Sequence, residues 1–308
     1  MIAVQGGFDY NALLNSYPPN SVERQVLEAM QNSTTTYRFD SLGVLQFELS
    51  VRRELVLSAE KLNKSYLSFA TFQDSRCNED YWERTPNGGF LLKRGVSAAD
   101  AINDIFTNGR KYATECATAM VIVHYKALLE VYKKELFERT FTSIYLMDWE
   151  LRQPLLREIS VPRKVSELLL GDRGYFNNPD VDPKTPWWQG ENVIVLPNNL
   201  FYGHGIGIRT ADQIIQSLNR SRRQGATRTA YLMDSAARPN YQRLYNVMPR
   251  PAAEPQPIEA PVIALSPVSV VPEEQAEIPM PVAAEPETVQ EARSPLVWRA
   301  FPAPISRG

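Results

Sequence analysis

Two cysteines and two histidines supply all the thiol and imidazole chemistry of the 308-residue chain. Cys116 stands in KYATECATAMVIVHYKALLEVYKKEL, just before a run from Ala117 to Tyr125 that is small or apolar nearly all round. Such a run predicts a helix enclosed by other elements, with Cys116 on its first turn. Free N–H groups and the positive end of the helix dipole lower a thiol pKa there, and the thiolate is a nucleophile. The competing reading is a structural cysteine, because a free thiol also serves as a small buried hydrophobe.

A nucleophilic thiol needs a proton partner. His124 lies on the same predicted helix, roughly 12 Å further up its axis and out of reach. His204 sits in FYGHGIGI between Gly203 and Gly205, in an otherwise apolar strand where glycines mark a close approach of backbone or ligand. Its alternative is a strand-end histidine without a role. Glu191 opens the strand ENVIVL after PWWQG. A wall of indoles, Trp187 and Trp188, would desolvate this carboxyl and raise its pKa toward the range useful for proton transfer. At an exposed strand end it would simply be solvated. Glu115, adjacent to the thiol, fits an ordinary first-turn acid favoured by the dipole.

The elements that must hold these residues mix two periods. Ser41 to Leu62 reads as an amphipathic helix started by Asp40 or Ser41, although Leu45, Phe47, Leu49 and Val51 also alternate as in a strand. YLSFATF (66–72), YWERT (81–85) and FLLKR (90–94) read as strands, the last two joined by the turn PNGG. Ser97 with Asp100 starts the helix AADAINDIF, which Gly109 ends. FTSIYLMDW (141–149), ENVIVL (191–196) and LFYGHGIGI (200–208) read as strands, the last two as a hairpin. Thr210 and Gln213 form a capping box before a helix that stops at Gly225. Helices mixed with antiparallel strands predict an α+β fold.

Composition sets the limits. With 33 basic against 35 acidic side chains, nothing points to nucleic acid or an anionic membrane as partner. Cys77 and Cys116 form no C-x-x-C pair and only His124 and His204 stand besides them, so no structural metal site is expected, and no cofactor is called for. MIAVQGGFDYNALL lacks the features of a signal peptide, and no apolar run approaches a bilayer span, which predicts a protein kept in a reducing compartment. Of the 23 prolines, 13 lie from Pro249 onward. The expected division is a catalytic domain over 1–250 and a disordered Pro/Ala/Glu-rich tail over 251–308. The tail carries eight Glu and three Arg, and its end, LVWRAFPAP, offers Trp298 and Phe301 to a protein partner.

Six motifs occur in one order: FATF (69–72), YATECATAMVIVHY (112–125), DW (148–149), YFNNPDVDP (175–183), WWQGENVIVL (187–196) and YGHGIGI (202–208). With ADQIIQSLNRSRRQGA and AYLMDSAAR behind them, they make the chain resemble the spore-coat protein-glutamine gamma-glutamyltransferases over roughly residues 38–247. The resemblance implies a compact papain-like core related to NlpC/P60 enzymes, with the nucleophile on a central buried helix beside an antiparallel sheet. It implies calcium-independent crosslinking of spore coat proteins through ε-(γ-glutamyl)lysine bonds, in a protein made in the mother cell and carried to the spore surface. It makes Cys116 the nucleophile, Glu191 its main proton-transfer partner and Glu115 a second carboxylate. Phe69 and Trp188 become walls of a narrow tunnel over the sulfur, with Asp148, Trp149 and His204 in support. The first 37 residues match the pattern poorly, Cys77 has no counterpart in it, and the tail extends past it. Two rivals remain: a cysteine amidase or peptidase acting on peptidoglycan peptides through Cys116 and His204, and an inactive coat scaffold.

Overall fold

Side chains that can cap a helix decide where the main helices of the computed structural model begin. The structure describes residues 1–249; the predicted tail, with Trp298 and Phe301, lies outside them. At the N-terminus, β1 (Ile2–Val4) pairs in parallel with β2 (Tyr37–Phe39), with α1 (Tyr10–Asn15) and α2 (Val22–Asn32) between them. Ser41 then accepts the Val44 N–H and starts α3 (Leu42–Lys64). Of the two readings of this stretch the helix holds, because Val44, Leu45, Leu49, Leu55 and Leu62 all reach a buried face.

β3 (Ser68–Phe69) is all that forms of the strand predicted over 66–72, because the chain turns where the Thr71 hydroxyl bonds Asp74. The predicted hairpin is present as β4 (Trp82–Arg84) and β5 (Phe90–Leu92), paired Trp82 to Leu92. Ser97 caps α4 (Ala98–Thr107). After it, β6 (Ala113–Thr114) runs parallel to β3 and delivers the chain into α5 (Cys116–Thr140). Every residue from Ala117 to Leu129 is buried, as an all-apolar helix requires. α3, α4 and the main sheet pack around it. β7 (Tyr145–Leu146) is a short third strand beside β5, where 141–149 was expected to be strand throughout. Asp148, at φ 46°, ends that extension.

β8 (Arg163–Lys164) precedes the main sheet, which comprises β9 (Arg173–Asn177), β10 (Gly190–Leu196), β11 (Leu200–Gly203) and β12 (Gly207–Thr210). The single strand predicted over 200–208 is two strands. Gly205 at φ 98° and Gly207 at φ 84° turn the chain between them, a conformation other residues rarely take. The capping box of Thr210 and Gln213 starts α6 (Ala211–Asn219), which stops short of the predicted Gly225. Beyond Asn219 the chain peels away to bridge Val181, and Arg223 and Arg228 converge on Asp180. β13 (Tyr231–Leu232) completes a five-stranded sheet of order β12-β11-β10-β9-β13, all antiparallel. β14 (Ser235–Ala236) pairs with β8, and α7 (Tyr241–Tyr245) closes the described chain. The architecture is α+β, with one enclosed helix against an antiparallel sheet. Among the described residues no helix is long and apolar enough to cross a membrane.

Candidate active site

Cys116 is the first residue of α5 and is half-buried. Glu115, in extended conformation before it, is the helix cap: its carboxylate accepts the N–H groups of Ala117 and, at 2.7 Å, Thr118. Both oxygens of Glu115 are therefore committed to backbone that would otherwise be unsatisfied. Glu115 is thus the cap that precedes the helix, and not the first-turn acid that its position suggested. Burial, followed by the nearby Asp148 charge, nevertheless raises its pKa to about 7.

β10 brings two side chains to the thiol. Asn192 donates its Nδ2 to Cys116 Sγ at 3.4 Å, and its Oδ1 accepts from Arg173 Nη1 of β9 at 2.8 Å. Glu191 is buried, 2% exposed, and its Oε1 has no hydrogen-bond partner. Burial, followed by the charge of Glu115, pushes this carboxyl well above the usual carboxylate range, opposed by a backbone hydrogen bond from His204. Gly203 makes room for it, since a Cβ there would lie 2.8 Å from Glu191 Oε1.

The thiol departs from the dipole argument. Burial, then the charges of Glu191 and Glu115, push the Cys116 pKa well above its ordinary value, and the hydrogen bonds from Asn192 recover only part of that. A helix terminus by itself lowers a thiol pKa; here desolvation and two acids outweigh it. Cys116 therefore rests as a thiol among carboxyls that compete for the same protons.

His204 is at the turn after β11, outside any strand. Its Nε2 lies 3.2 Å from both Ser68 O and Thr114 O, two acceptors that fix the proton on that nitrogen. Tyr202 donates its hydroxyl to Nδ1 at 3.3 Å. Both ring nitrogens are occupied, and burial lowers the pKa to about 4, so the ring is neutral and clasps the ends of β3 and β6. His124 is likewise buried, with Nδ1 bonded to Met120 O at 2.8 Å.

The aromatic residues divide. Phe69 and Trp188 stack with ring centroids 6.0 Å apart and planes 13° apart, and Phe69 also meets the His204 ring at 6.1 Å. Gly205 is small because a Cβ would approach Phe69 to 3.0 Å. Trp149 stands under the Arg173 guanidinium, 4.6 Å from its ring centre, and the backbone N–H of Asp148 bonds Thr118 Oγ1 on the first turn of α5 at 2.8 Å. Trp187 corrects the expectation of a two-indole wall: it is 43% exposed, on a 3₁₀ turn that aims it at solvent. Three residues at the site were not singled out in the sequence: Asn192, Arg173, and Tyr175, whose hydroxyl is raised by burial and then by Cys116 and Glu191. The available signal was a polar side chain inside a run otherwise fit for a fully buried strand. Among the described residues no group of three or more His, Cys, Asp or Glu is placed to hold a metal ion.

An α+β frame that seats a thiol at the head of its enclosed helix, with acids beside it, supports acyl-transfer chemistry. Residues 1–248 match the sequence model of the protein-glutamine gamma-glutamyltransferase family, and the chain belongs to that family. The match starts at residue 1, so the first 37 residues, expected to match poorly, fall within it. The protein-glutamine gamma-glutamyltransferases of Bacillus cereus (strain B4264) and Bacillus anthracis (strain CDC 684 / NRRL 3495) are each 42% identical over 239 residues, 77% of this chain and 86% of theirs. A solved structure, the transglutaminase from Geobacillus stearothermophilus (without C-terminal extension), is 46% identical and superposes with a TM-score of 0.64, covering 68% of this chain and 100% of that one.

Proposed function

We propose that the chain joins protein glutamine to protein lysine through a thioester on Cys116, with Glu191 as the proton carrier and Glu115 as the second carboxylate. The observation that carries this reading is the buried, unpartnered Oε1 of Glu191, next in β10 to the Asn192 that donates to Cys116 Sγ. In the first step the sulfur attacks the carbonyl carbon of the glutamine γ-carboxamide, and the thiol proton passes by way of Glu191 to the leaving nitrogen. The C–N bond breaks, ammonia departs, and a γ-glutamyl thioester remains. A lysine ε-amine then attacks the same carbon and gives its proton to the carboxylate. The C–S bond breaks, the thiol is restored, and the isopeptide is left behind. A carboxyl whose pKa burial has raised can take and return a proton in both steps. Phe69, Trp188 and Trp149 restrict water at the sulfur, so that amine, not water, resolves the thioester. His204 supports them by clasping Ser68 and Thr114.

A hydrolase pairing Cys116 with His204 would need a free imidazole nitrogen facing the thiol, and both are engaged elsewhere. The resemblance to spore-coat enzymes supports coat proteins as the substrates, the mother cell as the place of synthesis, and chemistry without calcium. The test is incorporation of a fluorescent primary amine into casein with EDTA present. Label should appear with wild type, vanish with Cys116→Ala and fall steeply with Glu191→Gln. Label that survives Cys116→Ala, or that needs added calcium, overturns the reading. Coat extracts of spores lacking the protein should gain high-mass species when it is added back.

A further inference from the structure

Two arginines are fully enclosed in the described structure, and they differ in one respect. Arg52 is 0% exposed and is answered by Glu48 and Asp172, each at 2.8 Å. Arg173, 1% exposed, makes no ion pair among the described residues. Its Nε donates to Ile159 O at 3.0 Å, its Nη1 donates to Asn192 Oδ1, its Nη2 has no hydrogen-bond partner, and its plane faces Trp149. A buried cation without a counterion is costly, and structures rarely keep one without a use.

The hydrogen bonds show what the cation does. A guanidinium only donates, so the carboxamide of Asn192 must turn its oxygen to Arg173 and its NH₂ to Cys116 Sγ. An NH₂ group can donate to sulfur and cannot accept the proton of an S–H. The contact thus favours sulfur that carries negative charge over sulfur that carries hydrogen. We infer that Arg173 is a positioning residue of the transfer reaction: through Asn192 it fixes an amide donor on the Cys116 sulfur, and its charge is balanced when the thiolate forms. The missing counterion is the nucleophile itself, present during attack and again as the amine displaces it. Without Arg173 the amide is free to flip, presenting an oxygen that would hold the S–H and oppose attack.

The inference rests on Cys116 being the nucleophile and adds an electrostatic relay behind it. The groups around the pair are Glu115, Glu191 and Tyr175 on the sulfur side, and His124, which burial and then the Arg173 charge keep neutral.

The test reads the sulfur directly. In a Cys77→Ser background, the rate of iodoacetamide alkylation of Cys116 is followed against pH for wild type, Arg173→Gln, Arg173→Met, Asn192→Ala and Arg173→Gln/Asn192→Ala. Both Arg173 variants should slow alkylation at neutral pH about tenfold and move the profile about one unit toward alkaline pH. They should lower kcat for amine incorporation with KM unchanged. The double variant should be no slower than Asn192→Ala alone, because both substitutions break one relay. Arg173→Lys, which keeps the charge but not the planar fork, should recover part of the rate. An unchanged alkylation profile in a folded Arg173 variant, additive losses in the double variant, or failure of both Arg173→Gln and Arg173→Met to fold overturns the proposal. Transfer activity that survives Cys116→Ala is a different outcome, and it removes the underlying reading instead.

Discussion

Gly203→Ala isolates the room that the structure reserves for one carboxyl. Gly203 lies in β11 opposite Val193, and its φ is not among the positive values that demand glycine, so alanine is acceptable to the backbone. The added methyl would meet Glu191 Cγ and Oε1 at 2.8 Å and Cδ at 3.2 Å. Carbon atoms in comfortable contact stand about 3.5–4.0 Å apart, so the carboxyl must retreat by roughly 1 Å. The strands cannot yield, because β10 and β11 are held in register from Val193 to Leu196. Overpacking of this kind costs about 1–3 kcal/mol. A reacting group displaced by roughly 1 Å costs on the order of a hundredfold in rate. Amine incorporation and thermal unfolding are measured for Gly203→Ala, Glu191→Ala and the double variant. The account expects Gly203→Ala to lose most of its transfer rate and a few degrees of Tm. In the Glu191→Ala background, where the obstructing side chain is gone, the same substitution should change neither. Wild-type activity in Gly203→Ala, or an equal Tm loss in both backgrounds, refutes the reasoning.

Three further outcomes follow from the same geometry. Trp188→Ala removes the partner of Phe69 and should raise deamidation relative to crosslinking, counted by mass spectrometry of both products; an unchanged ratio removes the water-exclusion argument. His204 and His124 are each lowered from 6.5 to about 4, so the unfolded chain binds their protons first as pH falls. Each should withdraw about 3 kcal/mol of stability between pH 6.5 and 4, and His204→Gln, less stable at pH 7, should show a shallower loss of Tm over that window. Cys77, whose thiol burial pushes up to about 11, should resist alkylation at neutral pH, and Cys77→Ser should leave transfer unchanged.

How much of this was legible depends on whether a residue declares itself by pattern or by partner. α5 declares itself, because a helix apolar on every side has no place but the interior, and Cys116 falls at its head by position alone. Ser41, Ser97 and Thr210 begin helices as their hydroxyls predict. The break in 200–208 is concealed by an apolar run in which Gly203 and Gly205 read as a close approach of backbone or ligand. Asn192 and Arg173 could not be assigned from type, since their meaning lies in a hydrogen bond across β9 and β10 to a thiol 76 positions away from Asn192. The direction of the thiol shift was misread for the same reason. A helix dipole is visible in sequence, while the two acids and the desolvation that outweigh it come together only in the fold.

The central claim is a thioester on Cys116 made with a carboxyl proton carrier, and intact-protein mass spectrometry tests it most directly. The protein is mixed with a short glutamine peptide and no amine, quenched in acid and weighed. The account predicts an adduct equal to the peptide less ammonia, located on Cys116, lost on adding a primary amine, and absent from Glu115→Gln/Glu191→Gln. An adduct on another residue, or one that forms undiminished without both carboxylates, contradicts it.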